Sequence, residues 1–219
     1  MEVATSVLNV EEENSIQTFY RIETAHTDYF HIDVMDGKFV EDNTVEKMKQ
    51  YADNIKNISN IPLDVHLMVK EVKDYVDMFA SCEPRMISFH VEAINDKEDK
   101  MKIINYIKEA NCKVGIAVSP ETEIEAVYDY LPYIHYVLVM SVHPGKGGQK
   151  FIEATYEKVE KLRKYLIENN LESEIEVDGG INLEIAPKLK ELGVDIAVAG
   201  NSIINSKDYT YTIRNMKWN

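Results

Sequence analysis

Eight short apolar runs, separated by longer amphipathic segments, are the feature that most constrains the fold of this chain. The runs are rich in Val and Ile, as expected for strands buried on both faces of a parallel sheet. They lie near residues 3–8, 29–34, 62–68, 86–91, 113–118, 136–142, 174–178 and 195–199. Segments between them, such as 45–58, 97–110, 121–131 and 156–169, show the 3.6-residue period of an amphipathic helix.

This alternation predicts an α/β fold, a single (β/α)8 TIM barrel spanning residues 1–219. A doubly wound open sheet is the alternative, but eight evenly spaced units are many for it. In addition, polar residues follow the C-terminal end of almost every predicted strand. In a barrel those ends form one face, and that face is where active sites lie.

Charge and composition exclude several kinds of partner. The chain has 24 basic and 38 acidic residues and a net charge of −14, which argues against binding to nucleic acid or anionic membranes. No apolar run approaches the length of a membrane span, and residues 1–14 do not resemble a signal peptide. Cys82 and Cys112 are predicted to be reduced thiols, so we expect a cytoplasmic protein.

Two histidines and two aspartates close three of the predicted strands. His31 and Asp33 are two residues apart and therefore point to the same face of their strand, while His66 and Asp178 end two others. Two imidazoles and two carboxylates suit Zn²⁺, Fe²⁺, Mn²⁺ or Co²⁺ better than Mg²⁺ or Ca²⁺. The aspartates also form an acid/base pair for moving a proton at a carbon beside a carbonyl. Asp64 shares the face of His66, where it either orients that imidazole or binds the backbone.

Glycine-bearing turns follow the last three predicted strands, at 144–149, 178–180 and 199–202. Glycine lets backbone N–H groups approach an anion closely, and barrels commonly hold phosphate after strands seven and eight. Residues 201–204 fit the start of a short helix with a capping side chain available. We therefore predict a phosphate site here, with the 144–149 loop as a lid.

Several motifs together resemble the ribulose-phosphate 3-epimerase family from Ser6 to about Ile204. They are HIDVMDGKFV, DVHLMV, FHVEA, VMSVHPGKGGQKFI, EVDGGI and VAGNSII, in the order and spacing of that family. The resemblance implies a TIM barrel of the ribulose-phosphate-binding type. It also implies interconversion of D-ribulose 5-phosphate and D-xylulose 5-phosphate in the pentose phosphate pathway, with a bound divalent metal.

Carried over position by position, the resemblance implies that His31, Asp33, His66 and Asp178 ligate the metal. Asp33 and Asp178 would be the acid and base on opposite faces of C3, with a cis-enediolate between the two transfers. Met35, Met68 and Met140 would line that intermediate, although methionine is also a common packing residue. The implied substrate contacts are Ser6, Met35, Met68, Met140, Gly147, Gly148, Gly179, Gly180, Gly200 and Asn201.

Some positions depart from the family pattern. They are Thr5, where proline is usual, Glu41 and Asp42, His143 and Lys146 in the strand-six loop, and Asn201, where serine is typical. Because they cluster around the lid and the far end of a substrate, substrate length stays open. Lys146 either reaches the phosphate or is a solvated loop lysine. His90 either borders the pocket or has a structural role.

Three other functions compete with this interpretation. A 3-epimerase of a hexulose 6-phosphate, such as allulose 6-phosphate, shares the His-x-Asp and His-Leu-Met patterns, but Gly179-Gly180 and the PGxGGQ loop favour the pentulose. A phosphosugar decarboxylase or lyase needs an Asp-x-Lys-x-x-Asp array, and Lys38 has the wrong spacing for it. A non-catalytic sugar-phosphate binding protein has no use for two opposed carboxylates. The identity of the metal stays open, and so does assembly into a homo-oligomer.

Overall fold

Parallel strands and helices alternate throughout the computed structural model, which describes residues 1–218. Each strand pairs in parallel with the next, and β1 pairs with β8 to close the barrel. This closure confirms the predicted (β/α)8 barrel and excludes the open sheet. The strands are β1 (Glu2–Ser6), β2 (Tyr29–Met35), β3 (Leu63–Met68), β4 (Met86–His90), β5 (Lys113–Val118), β6 (Tyr136–Met140), β7 (Glu174–Asp178) and β8 (Ile196–Ala199).

Helices surround the barrel, and three short 3-10 segments supplement them. The helices are α1 (Ser15–Thr24), α2 (Val45–Ile58), α3 (Val72–Ala80), α4 (Lys97–Glu109), α5 (Thr155–Glu168), α6 (Ala186–Glu191), α7 (Asn201–Ile204) and α8 (Tyr209–Trp218). The 3-10 segments are Glu12–Asn14, Val91–Ala93 and Ile124–Tyr133. The last of these, which contains Pro132, replaces the α-helix expected at 121–131.

Side-chain parity divides the core into two layers, as the period of two predicts. Outward-facing residues such as Ile32 and Val34 pack against the helices in the main hydrophobic cluster. Inward-facing residues such as Tyr136 and Leu138 fill the barrel interior. Gly115 makes room for the Tyr136 ring, since a Cβ at Gly115 would lie 2.3 Å from Tyr136 Cζ.

Two further predictions concern the redox state of the cysteines and the absence of a membrane-spanning helix. Cys82 and Cys112 are both buried and unbridged, in keeping with reduced thiols. Within residues 1–218, none of the helices has the length and apolar character needed to cross a bilayer.

Candidate active site

His31, Asp33, His66 and Asp178 converge at the C-terminal end of the barrel, and their ligand atoms all lie within 4.8 Å of one another. Asp33 Oδ1 lies 3.3 Å from His31 Nε2 and 3.4 Å from His66 Nδ1. Asp178 Oδ2 lies 4.0 Å and 3.8 Å from the same two nitrogens. The barrel therefore assembles from β2, β3 and β7 the four residues that the sequence singled out.

The two histidine nitrogens that face this cluster make no hydrogen bond to the described residues. They are His31 Nε2 and His66 Nδ1, and both are buried. Buried polar atoms are nearly always paired, so two such atoms aimed at two carboxylates indicate a ligand-binding site. The donor set, two imidazole nitrogens and two carboxylate oxygens, fits a divalent transition metal. The cluster can hold a metal ion.

His31 is held from behind by Asp64. The side chains of both residues are buried, and Asp64 Oδ2 lies 2.5 Å from His31 Nδ1. A carboxylate only accepts, so His31 Nδ1–H donates to Asp64, and Nε2 is the atom that faces the cluster. Burial opposes protonation of His31, but the charges of Asp33 and then Asp64 outweigh it and raise the pKa of the ring, so a metal would have to displace the hydrogen on Nε2. The Tyr136 hydroxyl donates to Asp64 Oδ1 at 3.4 Å. Asp64 thus orients His31, whereas the sequence analysis considered Asp64 as a partner of His66.

The partner of His66 is instead His90. The Nε2 atoms of the two rings lie 2.9 Å apart, and both side chains are inaccessible to solvent. Burial lowers the pKa of His90 to about 4, so the ring is neutral near pH 7. His90 lies behind a candidate ligand and does not border the pocket, which decides the question that the sequence left open.

Asp33 and Asp178 occupy different electrostatic environments. Burial opposes ionisation of Asp33, but His31 and His66 outweigh it and hold the pKa of Asp33 well below its usual range. Burial, and then the charge of Asp33, raise the pKa of Asp178 to about 7. Ser6 Oγ–H donates to Asp33 Oδ2 at 2.7 Å. One carboxylate is therefore ionised while the other titrates near neutrality, the pattern of an acid/base pair.

A cavity of about 250 Å³ opens onto this pair of carboxylates. Asp33 and Asp178 lie on its wall, whereas His31 and His66 lie beneath it. All ten residues predicted to contact substrate lie on the same wall: Ser6, Met35, Met68, Met140, Gly147, Gly148, Gly179, Gly180, Gly200 and Asn201.

Neighbouring atoms approach closely at two of these glycines. Gly180 has φ +65°, and a Cβ there would lie 2.5 Å from the backbone nitrogen of Phe151. A Cβ at Gly147 would lie 2.5 Å from Asn9 Nδ2. The turn after β7 is therefore packed too closely for a side chain at Gly180, whereas the atoms nearest to Gly147 belong to the side chain of Asn9.

The helix expected at 201–204 is present as α7, but no side chain caps it. Asn201 Oδ1 instead accepts a hydrogen bond from Asn9 Nδ2 at 2.8 Å, and Ser202 Oγ–H donates to the Ile181 carbonyl at 2.7 Å. The capping prediction was therefore wrong, because both side chains are used to tie neighbouring loops together.

The strand-six loop carries two of the departures that left substrate length open, His143 and Lys146. Lys146 is exposed at the rim of the cavity, and the His143 ring contacts Glu121 Oε1 at 2.6 Å. The side chain of Gln149 braces the loop from within, donating to the carbonyls of His143 at 2.6 Å and Lys146 at 2.7 Å.

Sequence reasoning missed two residues of the site. Asn9 borders the cavity from the loop after β1, and no sequence pattern marks it. Glu176 is fully buried in the barrel interior, close to His31 and Asp64. Burial, and then the charge of Asp64, raise the pKa of Glu176 well above its ordinary value. Its inward parity, two residues before Asp178, was the available signal.

A TIM barrel with paired carboxylates and a glycine-lined cavity at its C-terminal mouth is typical of enzymes that act on phosphorylated sugars. The sequence model described as the Ribulose-phosphate 3 epimerase family matches residues 2–204. The chain belongs to this family, which confirms the resemblance seen in the motifs and the prediction of an isomerase that acts on carbohydrates.

Curated relatives agree with this assignment. The ribulose-phosphate 3-epimerase of Methanocaldococcus jannaschii is 34% identical over 99% of this chain and 90% of the relative. That of Helicobacter pylori strain J99 is 35% identical, covering 99% and 97%. That of Bacillus subtilis is 33% identical, covering 95% and 94%.

Solved structures agree on the fold. A 3-hexulose-6-phosphate synthase superposes with a TM-score of 0.74 at 12% identity, covering 99% of this chain and 98% of that one. KGPDC from Streptococcus mutans gives a TM-score of 0.72 at 12% identity, covering 99% and 95%. At such identities the likeness concerns the barrel alone.

Proposed function

We propose that this protein interconverts D-ribulose 5-phosphate and D-xylulose 5-phosphate by exchanging the proton on C3. The observation that carries the proposal is that Asp33 and Asp178, from β2 and β7, open onto one small cavity walled by glycine turns. The relatives at about a third identity carry the name of this reaction. We also propose the pentose phosphate pathway as the context of this reaction.

The chemistry needs two carboxylates because inversion removes a proton from one face of C3 and returns one to the other. The ionised member of the pair takes the C3 proton, leaving a planar cis-enediolate, and the protonated member delivers a proton from the opposite side. Ser6 holds the Asp33 carboxylate in a fixed orientation through its 2.7 Å hydrogen bond. General acid–base help of this kind contributes roughly 10²–10⁴-fold.

His31, Asp33, His66 and Asp178 would hold a divalent cation, with Zn²⁺, Fe²⁺, Mn²⁺ or Co²⁺ as candidates. When bound, such an ion supplies positive charge that stabilises the negative charge growing on the substrate oxygens. The protein contributes two imidazoles whose far nitrogens are already engaged, by Asp64 for His31 and by His90 for His66.

The remaining walls bind and shield the substrate. Met35, Met68 and Met140 place apolar surface around the reacting carbons, which keeps water from the enediolate. Gly147, Gly148, Gly179, Gly180, Gly200 and Asn201 line the part of the wall where we place the phosphate. Cytoplasmic location, a single domain and assembly into a homo-oligomer stay predictions.

Deuterium exchange tests the reaction directly. D-ribulose 5-phosphate incubated with the protein in D2O should acquire deuterium at C3 as xylulose 5-phosphate forms, measured by NMR. Asp33→Asn and Asp178→Asn should each slow turnover at least ~10²-fold. Asp129→Asn, which removes a carboxylate from an exposed ion pair with Lys97, is the matched control and should keep full activity. Retained turnover in either site variant would contradict the two-carboxylate mechanism.

The same preparation separates the alternatives. A higher kcat/KM for allulose 6-phosphate than for ribulose 5-phosphate would assign the enzyme to the hexulose. Decarboxylation would release CO2, but Lys38 is exposed and does not lie on the cavity wall. Metal analysis of the purified protein, with activity measured before and after chelation, identifies the cation and its necessity.

A further inference from the structure

A chain of hydrogen-bonding groups runs outward from His66 and ends on Glu92, a residue of the FHVEA motif to which the sequence analysis gave no role. His66 Nε2 lies 2.9 Å from His90 Nε2, and His90 Nδ1 lies 3.1 Å from Glu92 Oε2. Glu92 Oε1 in turn accepts a hydrogen bond from the backbone N–H of Ser119 at 2.9 Å. This chain of groups joins the ends of β3, β4 and β5.

A neutral imidazole carries hydrogen on only one of its two nitrogens. If His66 ligates a metal, the two histidines therefore have a single consistent arrangement of hydrogens. His66 Nδ1 faces the cluster and must offer a lone pair, so the hydrogen of a neutral His66 is on Nε2. Nε2–H then donates to His90 Nε2, which must be unprotonated. The hydrogen of His90 is therefore on Nδ1, where it donates to Glu92.

We propose that Glu92 is a positioning residue that selects the tautomer of His90 and thereby keeps His66 Nδ1 free to bind the metal. The inference rests on the metal centre of the proposed function and adds to it a residue two positions beyond β4. Without an acceptor at Glu92, His90 can carry its hydrogen on Nε2, pointing at the hydrogen of His66. One of the two rings must then turn or change tautomer, and His66 loses its orientation.

The surroundings of Glu92 support this role. Lys158 Nζ donates to the carbonyls of Ser119, Pro120 and Thr122 at 3.0, 2.9 and 2.8 Å, which fixes the loop that supplies the Ser119 N–H. The ring of Phe39 lies 4.9 Å from that of His90 and covers it.

Ser119 also presents a hydroxyl 3.3 Å from His90 Nδ1. A hydroxyl can donate as well as accept, so by itself it tolerates either tautomer of His90. Only the carboxylate of Glu92, which cannot donate, excludes the wrong one. This difference makes the charged acceptor necessary and the neighbouring serine insufficient.

Glu92→Gln introduces a group that can donate as well as accept, with little change in volume, so the wrong tautomer of His90 is no longer excluded. If the oxygen of the new amide accepts from His90, its NH2 group faces the Ser119 N–H; if the amide flips, it donates to His90 Nδ1 and imposes the wrong tautomer. We expect Zn²⁺ affinity, measured by competition with a chromophoric chelator, to fall roughly 10–100-fold. Glu174→Gln, which breaks the 2.7 Å ion pair with Lys113, is the matched control and should leave Zn²⁺ affinity unchanged.

A second measurement needs no variant. In ¹⁵N-histidine-labelled wild-type protein loaded with Zn²⁺, imidazole ¹⁵N shifts should place the hydrogen of His66 on Nε2 and that of His90 on Nδ1. A hydrogen on His90 Nε2, or unchanged Zn²⁺ affinity in Glu92→Gln, would overturn the inference. Wild-type protein that binds none of Zn²⁺, Fe²⁺, Mn²⁺ and Co²⁺ would overturn the metal centre as well, so the two failures are distinguishable.

Discussion

Asp64 Oδ2 and His31 Nδ1 lie 2.5 Å apart in the barrel interior, and neither side chain is exposed. A buried carboxylate in this position holds a hydrogen on His31 Nδ1 and turns Nε2 toward the cluster of candidate metal ligands. On the side that faces away from the cluster, His31 has a direct carboxylate partner, whereas His66 Nε2 is linked to one through His90.

Replacing Asp64 with Asn should therefore weaken metal binding. The amide keeps an acceptor but loses the negative charge, and its NH2 group needs a new partner in a closed interior. We expect Zn²⁺ affinity to fall roughly 10–100-fold, measured by chelator competition. Asp129→Asn supplies the control for loss of one carboxylate at the surface. An affinity equal to that of the wild type would show that Asp64 does not orient His31.

Ser6→Ala should reduce turnover without loss of the metal. The variant removes the 2.7 Å hydrogen bond to Asp33 Oδ2 and leaves the side that faces the histidines intact. Hydrogen bonds to charged groups contribute about 1.5–3 kcal/mol, so kcat/KM should fall roughly 10–100-fold. Steady-state kinetics with D-ribulose 5-phosphate, together with metal content, measure this. If Zn²⁺ occupancy fell in parallel with activity, Ser6 would be acting on the metal centre.

Gly180→Ala should damage both stability and substrate binding. Its φ of +65° costs a non-glycine residue about 1–2 kcal/mol, and the new Cβ would meet the Phe151 backbone at 2.5 Å. Displacing this turn should lower kcat/KM for the phosphorylated substrate roughly 10-fold or more. Thermal unfolding and kinetics report the two effects.

Gly193→Ala is the matched control for this substitution. Gly193 has φ +82°, but the atoms nearest to a Cβ there belong to the Arg163 side chain, at 3.1 Å, and Gly193 does not lie on the cavity wall. It should lose a comparable 1–2 kcal/mol, roughly, from backbone strain, with kcat/KM unchanged. Equal kinetic losses in both variants would mean that the Gly180 turn does not contact substrate.

The thiols should resist modification in the folded protein. Burial raises the pKa of Cys112 to about 11, and burial followed by Asp53 raises that of Cys82. At pH 8 about one Cys112 in a thousand is then thiolate, so a disulfide reagent should react slowly. Two equivalents should react at once after denaturation. Rapid reaction in the native state would show that these sites open readily.

The same pKa shift has a consequence for stability. Cys112 binds its proton more tightly in the folded chain than in the unfolded one. Its contribution is therefore complete below the ordinary thiol pKa and is lost as pH rises toward about 11. Denaturant unfolding of Cys112→Ser against wild type should show a difference that narrows over this range.

Much of the site could be predicted because a strand has a period of two. His31 and Asp33 share one face of their strand, and His66 and Asp178 close two other strands, so a barrel of eight parallel strands brings all four to the same end. The glycine turns were predictable for a similar reason, since their positions follow the strands. The same parity marked Glu176, which was overlooked because a buried acid in a barrel interior is unusual.

Partners across strands could not be predicted. The sequence alone determined the barrel, the inward faces and the residue types at its mouth, because these follow from local periodicity. The tertiary structure decided that Asp64 supports His31 and not its strand neighbour His66, that His90 backs His66, and that Asn9 meets Asn201. Those pairings depend on the register between strands and the conformation of loops, and both are set by packing across the whole barrel.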